Sequence, residues 1–529
     1  MTTDAELVFT IDLGTSGPKV AYFTIDGRYV AGAFEPVDLV LVPPDGVEQR
    51  PSDWWDAITR AAMRLIEQHP IAPHQSIVAV AVTSQWSGTV AVDAEANPLM
   101  NAVIWMDARG ASATRRVAKG RVNVAGYDPF KLRRWISLTG GAPSHSGKDS
   151  ISHNLWIESE RPEVAQATTC YLEPKDWINA RLTGRMVATF DSIAVHWLTD
   201  NRDPSRIDYA PALLRQSGIS RSKLPDLIGA TEIVGPLRDE AAQSLGLPSG
   251  IPVIGGTPDV QSAAVGSGAV RDGEGHLYVG TSSWVSGHVT TKKTDLGSGI
   301  ASLPSPLPGR YFIADEQETA GECLNFLRDR VLWPDDGLTQ GAAPADAYRR
   351  IDELAASAPV GANGVMFFPW LVGERTPVDD HHVRAAWANV SLSSTRADLV
   401  RAVLEGVALN SRWLLGGVEK FRGGPFPWLH FIGGGAHSAV WPQIFADVLD
   451  REIRVVADPI RANGRGAALL AGLALGRLDV EGISAAVPIA QTYRPEGAHR
   501  PVYDAAFRDF VAFYKATRGW HHARHKGVR

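Results

Sequence analysis

A carboxylate beside a glycine turn is the first feature of this chain that could do chemistry: Asp12-Leu13-Gly14-Thr15-Ser16 follows the apolar run Leu7 to Ile11, and Val20 to Phe23 leads out towards an Asp26-Gly27 turn. Glycine permits backbone conformations in which successive N–H groups converge on an anion, and a neighbouring carboxylate can hold a hydrated Mg²⁺. Alone, the segment reads as a hairpin turn with a surface Asp. A second copy changes that balance: His276 to Val279 enters Gly280-Thr281-Ser282, and Trp284 to Val289 leaves. A triphosphate needs donors from more than one side, so two matched turns suggest two lobes facing one cleft.

A third glycine run, Gly433-Gly434-Gly435-Ala436-His437-Ser438, lies between an apolar strand and a helix with Trp441, Phe445 and Val448. It could admit a base or ribose, or serve close helix–strand packing, and the two readings stand level. Gly464-Arg465-Gly466-Ala467-Ala468 opens a small-residue helix whose packing accounts for its glycines without a ligand. Asp259, where the strand through Gly255-Gly256 stops and a helix begins, reads as an N-cap and also as a base within reach of a substrate hydroxyl. Gln85 and Trp86, after the strand Ile77 to Val82, and Asp107 with Arg109, after Val103 to Trp105, offer groups suited to a polyhydroxylated ligand. Either set could be plain loop. Glu374-Arg375 reads as a structural ion pair, and the C-terminal His521-His522-Ala523-Arg524-His525-Lys526 as a solvated tail.

The elements that must carry these residues alternate strand and helix. Ser52 is expected to cap a helix with Trp55, Ile58, Ala62 and Leu65 on one face, and Arg396 to Leu415 a second with Leu399, Val403, Val407 and Leu414. Pro248, Gly250, Pro252 and Gly255-Gly256 punctuate the middle of the chain, which sets lobes of 1–254 and 255–529. The length of 529 residues exceeds one ordinary core, and 44% apolar with 21% charged residues is globular composition. A formal net charge of -6 gives nucleic acid or an anionic membrane no electrostatic footing. Two cysteines, Cys170 and Cys323, cannot build a disulfide framework. Asp4 and Glu6 precede only a short apolar run, unlike a signal peptide, and Ala467 to Leu475 is too short to span a bilayer. The expectation is a cytoplasmic protein.

Taken in order and spacing, these segments resemble the FGGY carbohydrate kinase family, and within it the xylulose kinases. The likeness runs through Asp12 to Ser16, Trp105 to Arg109, Pro174-Lys175-Asp176, Gly255-Gly256 with Asp259, Gly280 to Ser282, Leu371 to Pro377, Leu404 to Val407, and Gly433 to Ala436 with Ser438. It implies an α/β fold of two ribonuclease-H-like lobes, of the actin and sugar-kinase type, with ATP and sugar meeting in the interlobe cleft. Asp259 matches the family's catalytic aspartate and Asp12 the residue that organises Mg²⁺. Gly14, Thr15, Ser16, Gly280 and Thr281 would bracket the phosphates, while Gly321, Asn325, Gly434, Gly435 and Ser438 would line the nucleotide. Gln85, Trp86, Asp107, Arg109 and Asp259 would meet the sugar. The activity implied is ATP-dependent phosphorylation of a small ketose, foremost D-xylulose to D-xylulose 5-phosphate. Another ketose or polyol, or a silent nucleotide-dependent sugar-binding protein, are the alternatives. Xylulose kinases usually carry Gln-Met-His-Gly where this chain has Gln85-Trp86-Ser87-Gly88, and glycerol kinases place an Arg-Glu pair after the equivalent Gln. A homodimer fits the family, and the sequence does not decide it.

Overall fold

The structure, a computed structural model, describes residues 5–295, 299–338 and 340–525; Asp4 and Lys526 lie outside these. Strand β1 (Ala5–Gly14) buries Leu7, Phe9, Ile11 and Leu13 on one face and Val8 on the other. A strand apolar on both faces belongs inside a sheet. β1 turns back on β2 (Gly17–Thr24), which pairs with β3 (Tyr29–Phe34); on its other side it runs parallel to β4 (Gln75–Ser84). Antiparallel β5 (Ile233–Pro236) then flanks β6 (Pro252–Pro258), which is parallel to β4, giving the order β5-β6-β4-β1-β2-β3.

The second sheet repeats this pattern. β7 (Gly275–Val279) turns back on β8 (Ser283–Val289), which pairs with β10 (Tyr311–Gln317), itself edged by the short β9 (Leu303–Pro304). On its other side β7 is parallel to β11 (Trp428–Ile432), β11 to β12 (Glu452–Val456), and antiparallel β13 (Ile489–Tyr493) closes the edge. Order and direction match for five strands of each sheet, β3-β2-β1-β4-β6 and β10-β8-β7-β11-β12, the two ribonuclease-H-like lobes that the resemblance implied.

Helix α1 (Pro51–Gln68) covers the outer face of the first sheet with Trp54, Ile58, Ala61, Ala62 and Leu65. Its N-cap is Arg50, with Pro51 leading, so Ser52 sits inside the first turn and Trp54 rather than Trp55 is buried. The next helix, α2 (Asp259–Gly266), follows β6 directly. The expected division at 254/255 thus cuts β6, a strand of the first sheet, and the chain passes to the second sheet between Gly266 and Gly275. On the outer face of the second sheet lies α3 (Arg396–Arg422), started by a Thr395–Asp398 capping box and running seven residues beyond the expected Leu415 to a left-handed Gly423.

Between the sheets α2 crosses α4 (Ala462–Ala474). α4 packs chiefly against the sheet of the other half, and α2 reaches across to the second sheet as well. α4 sets Ala467, Ala468 and Ala471 on Val8, Ala79 and Ala81 of the first sheet, while Ala263 and Val265 of α2 join Ile432 and Val456 of the second. A Cβ on Gly466 would lie 1.9 Å from Ser262 O and one on Gly266 1.8 Å from Ala462 O. Close packing accounts for these glycines, as their small-residue context predicts.

The C-terminal tail is corrected: α5 (Arg500–Arg524) is a docked helix. Tyr503, Phe510 and Tyr514 are buried, Phe513 stacks on Phe368 with centroids 3.9 Å apart, and His522 Nε2 lies 2.9 Å from Asp380 Oδ1. The apolar stripe of the helix, not its histidines, decides this.

Candidate active site

Parallel neighbours end together, so the sheet gathers its sequence-distant loops. In the first lobe Leu13 and Pro258 both register with Ser84, which brings the ends of β1, β4 and β6 to one edge. That edge carries Asp12, the Thr15-Ser16 hairpin turn, Gln85 and Asp259. In the second lobe the parallel β7 and β11 deliver Gly280-Thr281 and Gly433-Gly434-Gly435 side by side. The carboxyl ends of parallel strands are where open α/β sheets hold ligands.

Asp12 is almost fully buried and pairs across the hairpin with Lys19, 3.3 Å from Nζ to Oδ2. Its Oδ1 is buried with no hydrogen-bond partner among the described residues. An orphaned carboxylate oxygen at a phosphate-sized turn fits a hydrated divalent cation, which takes one or two carboxylates and fills its remaining positions with water and phosphate. Asp259 is the first residue of α2 rather than its N-cap; Pro258 holds that position, and Asp259 Oδ1 accepts from Val260 N at 2.8 Å. Its pKa is raised to about 7, first by burial and then by Asp12, with Glu316 of β10 adding to the rise and Val260 N and Lys19 opposing it. Lys19 is in turn held protonated by Asp12, Asp259 and Tyr278. Residues of both lobes therefore act on one carboxylate. Lys19, Tyr278 and Glu316 were not singled out from the sequence. Only Lys19 had a legible signal, a cation seven residues after Asp12 across a two-residue turn.

On the nucleotide side Gly321 N donates to Gly280 O at 2.7 Å, and Ala320 N to Thr281 O at 2.8 Å. A Cβ on Gly321 would fall 2.4 Å from Gly280 O, and one on Gly435 2.8 Å from Val279 Cγ1. Gly434 has open space in front of it. Asn325 Nδ2 donates to Glu322 at 2.8 Å, and Ser438 Oγ donates to Asp352 at 2.8 Å while accepting from Trp441 N. Glycine here serves both readings: 321 and 435 pack closely, and 434 leaves room.

The expected sugar side divides. Trp86 is half-exposed with its indole N–H on Ser192 O at 2.8 Å, leaving a ring face available. Gln85 is buried and engaged, donating to Gln49 Oε1 at 2.8 Å and accepting from Thr15 Oγ1 at 3.2 Å, so it braces the Thr15-Ser16 turn. Asp107 is fully buried, with Oδ2 taken by Val47 N and Arg109 Nε and Oδ1 by Arg109 N. Arg109 is spent on Asp107, Glu48 and the Trp156 ring. As folded, both side chains are engaged with partners in the first lobe. Glu374 and Arg375 do not pair with each other either: Glu374 accepts from Asn410 and two backbone N–H groups, and Arg375 pairs with Glu316 and Glu318. Among the described residues no cluster of three or more His, Cys, Asp or Glu could hold a metal, and no helix is long and apolar enough to cross a membrane.

Two repeated sheets, a crossing helix pair and paired glycine turns around one aspartate define a two-lobed phosphotransferase. The chain belongs to the FGGY family of carbohydrate kinases: the family's N-terminal domain matches residues 7–266 and its C-terminal domain residues 276–475. It is 27% identical over 517 residues to a xylulose kinase of Staphylococcus epidermidis, covering 97% of each chain. It is 26% identical over 499 residues to a gluconokinase of Bacillus subtilis, covering 94% of this chain and 92% of that one. Among solved structures, a xylulose kinase from Rhodospirillum rubrum superposes with a TM-score of 0.83 at 26% identity, covering 98% of this chain and all of that one. The protein is thus a sugar kinase with ATP as phosphate donor.

Proposed function

We propose that the chain phosphorylates a small neutral ketose, D-xylulose to D-xylulose 5-phosphate, with Asp259 as general base. The carboxylate of Asp259 carries this reading: it is buried and feels the charges of Asp12 and Lys19 of one lobe and Glu316 of the other. A proton affinity near 7 suits a base at neutral pH. A sugar hydroxyl gives its proton to Asp259 while its oxygen forms a bond to the γ-phosphorus of ATP. The bond from that phosphorus to the bridging oxygen breaks, and ADP leaves with the electron pair. Gly14, Thr15, Ser16, Gly280 and Thr281 bracket the phosphates, with Lys19 adding positive charge. Gly321, Asn325, Gly434, Gly435 and Ser438 line the nucleotide, and Trp86 offers an apolar face to the sugar. Mg²⁺ held by Asp12 would neutralise phosphate charge.

Charge favours a neutral sugar over an aldonate. Asp12 and Glu316 already raise the pKa of Asp259, and a substrate carboxylate would add to that repulsion. Relatives similar over nearly the whole chain are named xylulose kinase and gluconokinase, and the acidic surroundings speak for the former substrate. The test is ADP release against ketopentoses, ketohexoses, polyols and gluconate. D-Xylulose is expected to give the highest kcat/KM, and a preference for gluconate would overturn the assignment. Asp259→Asn is expected to abolish turnover while ATP still binds; near-normal turnover would remove Asp259 as the base.

A further inference from the structure

On β7 the side chains alternate: Leu277 and Val279 enter the outer core, and Tyr278 faces the space between the lobes, packing on the cluster that contains Ala263, Ile432 and Ala462. Two residues on, Gly280 shares its face. A Cβ on Gly280 would meet Tyr278 Oη at 2.0 Å, and one on Gly433 would meet Tyr278 Cε2 at 3.1 Å. The ring therefore lies between the phosphate turn and the nucleotide-side turn, with its hydroxyl against Gly280. That hydroxyl forms no hydrogen bond with any described residue, whereas Tyr127, Tyr171, Tyr209, Tyr311, Tyr503 and Tyr514 all donate to a protein oxygen; Tyr22 Oη is also unpaired among the described residues, but it lies in the apolar core of the first lobe.

We propose that Tyr278 is a further active-site residue whose hydroxyl donates a hydrogen bond to a phosphate oxygen of ATP held at the Gly280-Thr281 turn. Packing alone needs only the ring. The charged groups around the hydroxyl are Asp259, Lys19, Asp12 and Glu316, reaching it from both lobes, and burial together with Asp259 raises its pKa, so it remains a protonated donor. An unpaired donor in a half-buried cleft beside a backbone anion site is suited to a phosphate oxygen, and a bond to a charged acceptor is among the stronger hydrogen bonds. The inference rests on the cleft being the ATP site described above, but not on which sugar is used.

The experiment is calorimetric titration of the full chain and of Tyr278→Phe with the β,γ-imido analogue of ATP in the presence of Mg²⁺, and with adenosine. Because the hydroxyl forms no hydrogen bond with any described residue, its removal leaves the fold intact. The variant is expected to bind the triphosphate analogue about tenfold more weakly, the loss of one bond to a charged group, and adenosine equally well. Unchanged affinity for the analogue, or an equal loss with adenosine, would overturn the proposal. No sugar enters the measurement, so a wrong sugar or a wrong base leaves this result standing and is recognised by the turnover assays alone.

Discussion

Three aspartates near strand ends have surroundings that give them different work. Asp107 has both oxygens engaged and an arginine against it, so its charge is compensated in place. Glu48 still faces Arg109 when Asp107 is removed, but Val47 N and two N–H groups of Arg109 lose their acceptor: Asp107→Ala is expected to cost about 1–3 kcal/mol in urea denaturation. Asp259 is the opposite case, a carboxylate whose surroundings disfavour its charge. Its pKa is about 7 folded and about 3.9 unfolded. The folded state therefore binds the proton at higher pH, and this group's contribution to stability falls as pH rises through 7. Asp259→Asn should accordingly be more stable than the parent at pH 8, with the advantage shrinking as pH falls below 7 and gone only below about pH 4, as read from denaturation midpoints in metal-free buffer. A variant less stable than the parent at pH 8 would contradict that sign. Gly321 makes a third residue-scale case, because a Cβ there meets Gly280 O at 2.4 Å. Gly321→Ala must shift the phosphate turn, so the KM for ATP should rise at least about tenfold, equivalent to ~1.4 kcal/mol of binding, with the KM for sugar little changed.

At the scale of elements, the pair α2 and α4 joins the lobes and carries Asp259 at one end. The backbones touch at Gly266 and Gly466, where no side chain fits. Gly466→Ala would force the helices apart at a packed crossing, an overpacking cost of about 1–3 kcal/mol. The same shift moves the first turn of α2, so kcat should drop with stability, and a variant that lost neither would show that the crossing is slack. Helix α5 is held by a different interaction, an aromatic stack on Phe368 and Trp370. Phe510→Ala is expected to cost roughly 3–5 kcal/mol, as large cavities in cores do, measured by thermal or urea unfolding.

For the whole molecule, the lobes meet a second time away from the helix pair. Tyr311 Oη donates to Asn201 O at 2.9 Å, Thr294 Oγ1 to Gly140 O at 2.6 Å and Lys292 Nζ to Ser137 O at 3.0 Å. A second fastening limits how far the lobes can open, and a closed site excludes water, which would otherwise compete as phosphate acceptor. Loosening the second contact with Tyr311→Phe and Lys292→Ala together should raise ATP hydrolysis in the absence of sugar severalfold, read as ADP release, without loss of the fold.

Much of this was legible in the chain. The apolar runs of β1, β4, β7 and β11, and the glycines that end them, follow from local chemistry, because continuous apolar strands are buried and glycine turns expose N–H groups whatever lies around them. Asp259 could be found for the same reason, as a carboxylate at a strand-to-helix junction. What the sequence could not distinguish was Asp107 from Asp259, or Gln85 from a free amide, since that depends in part on distant partners: Val47 N lies sixty residues from Asp107 and Thr15 seventy from Gln85. Tyr278, Glu316 and the true crossing point of the chain between the lobes were equally hidden. Register between parallel strands and the crossing of α2 with α4 decide which polar groups end up paired and which face the cleft, and those are long-range packing choices that no local pattern encodes.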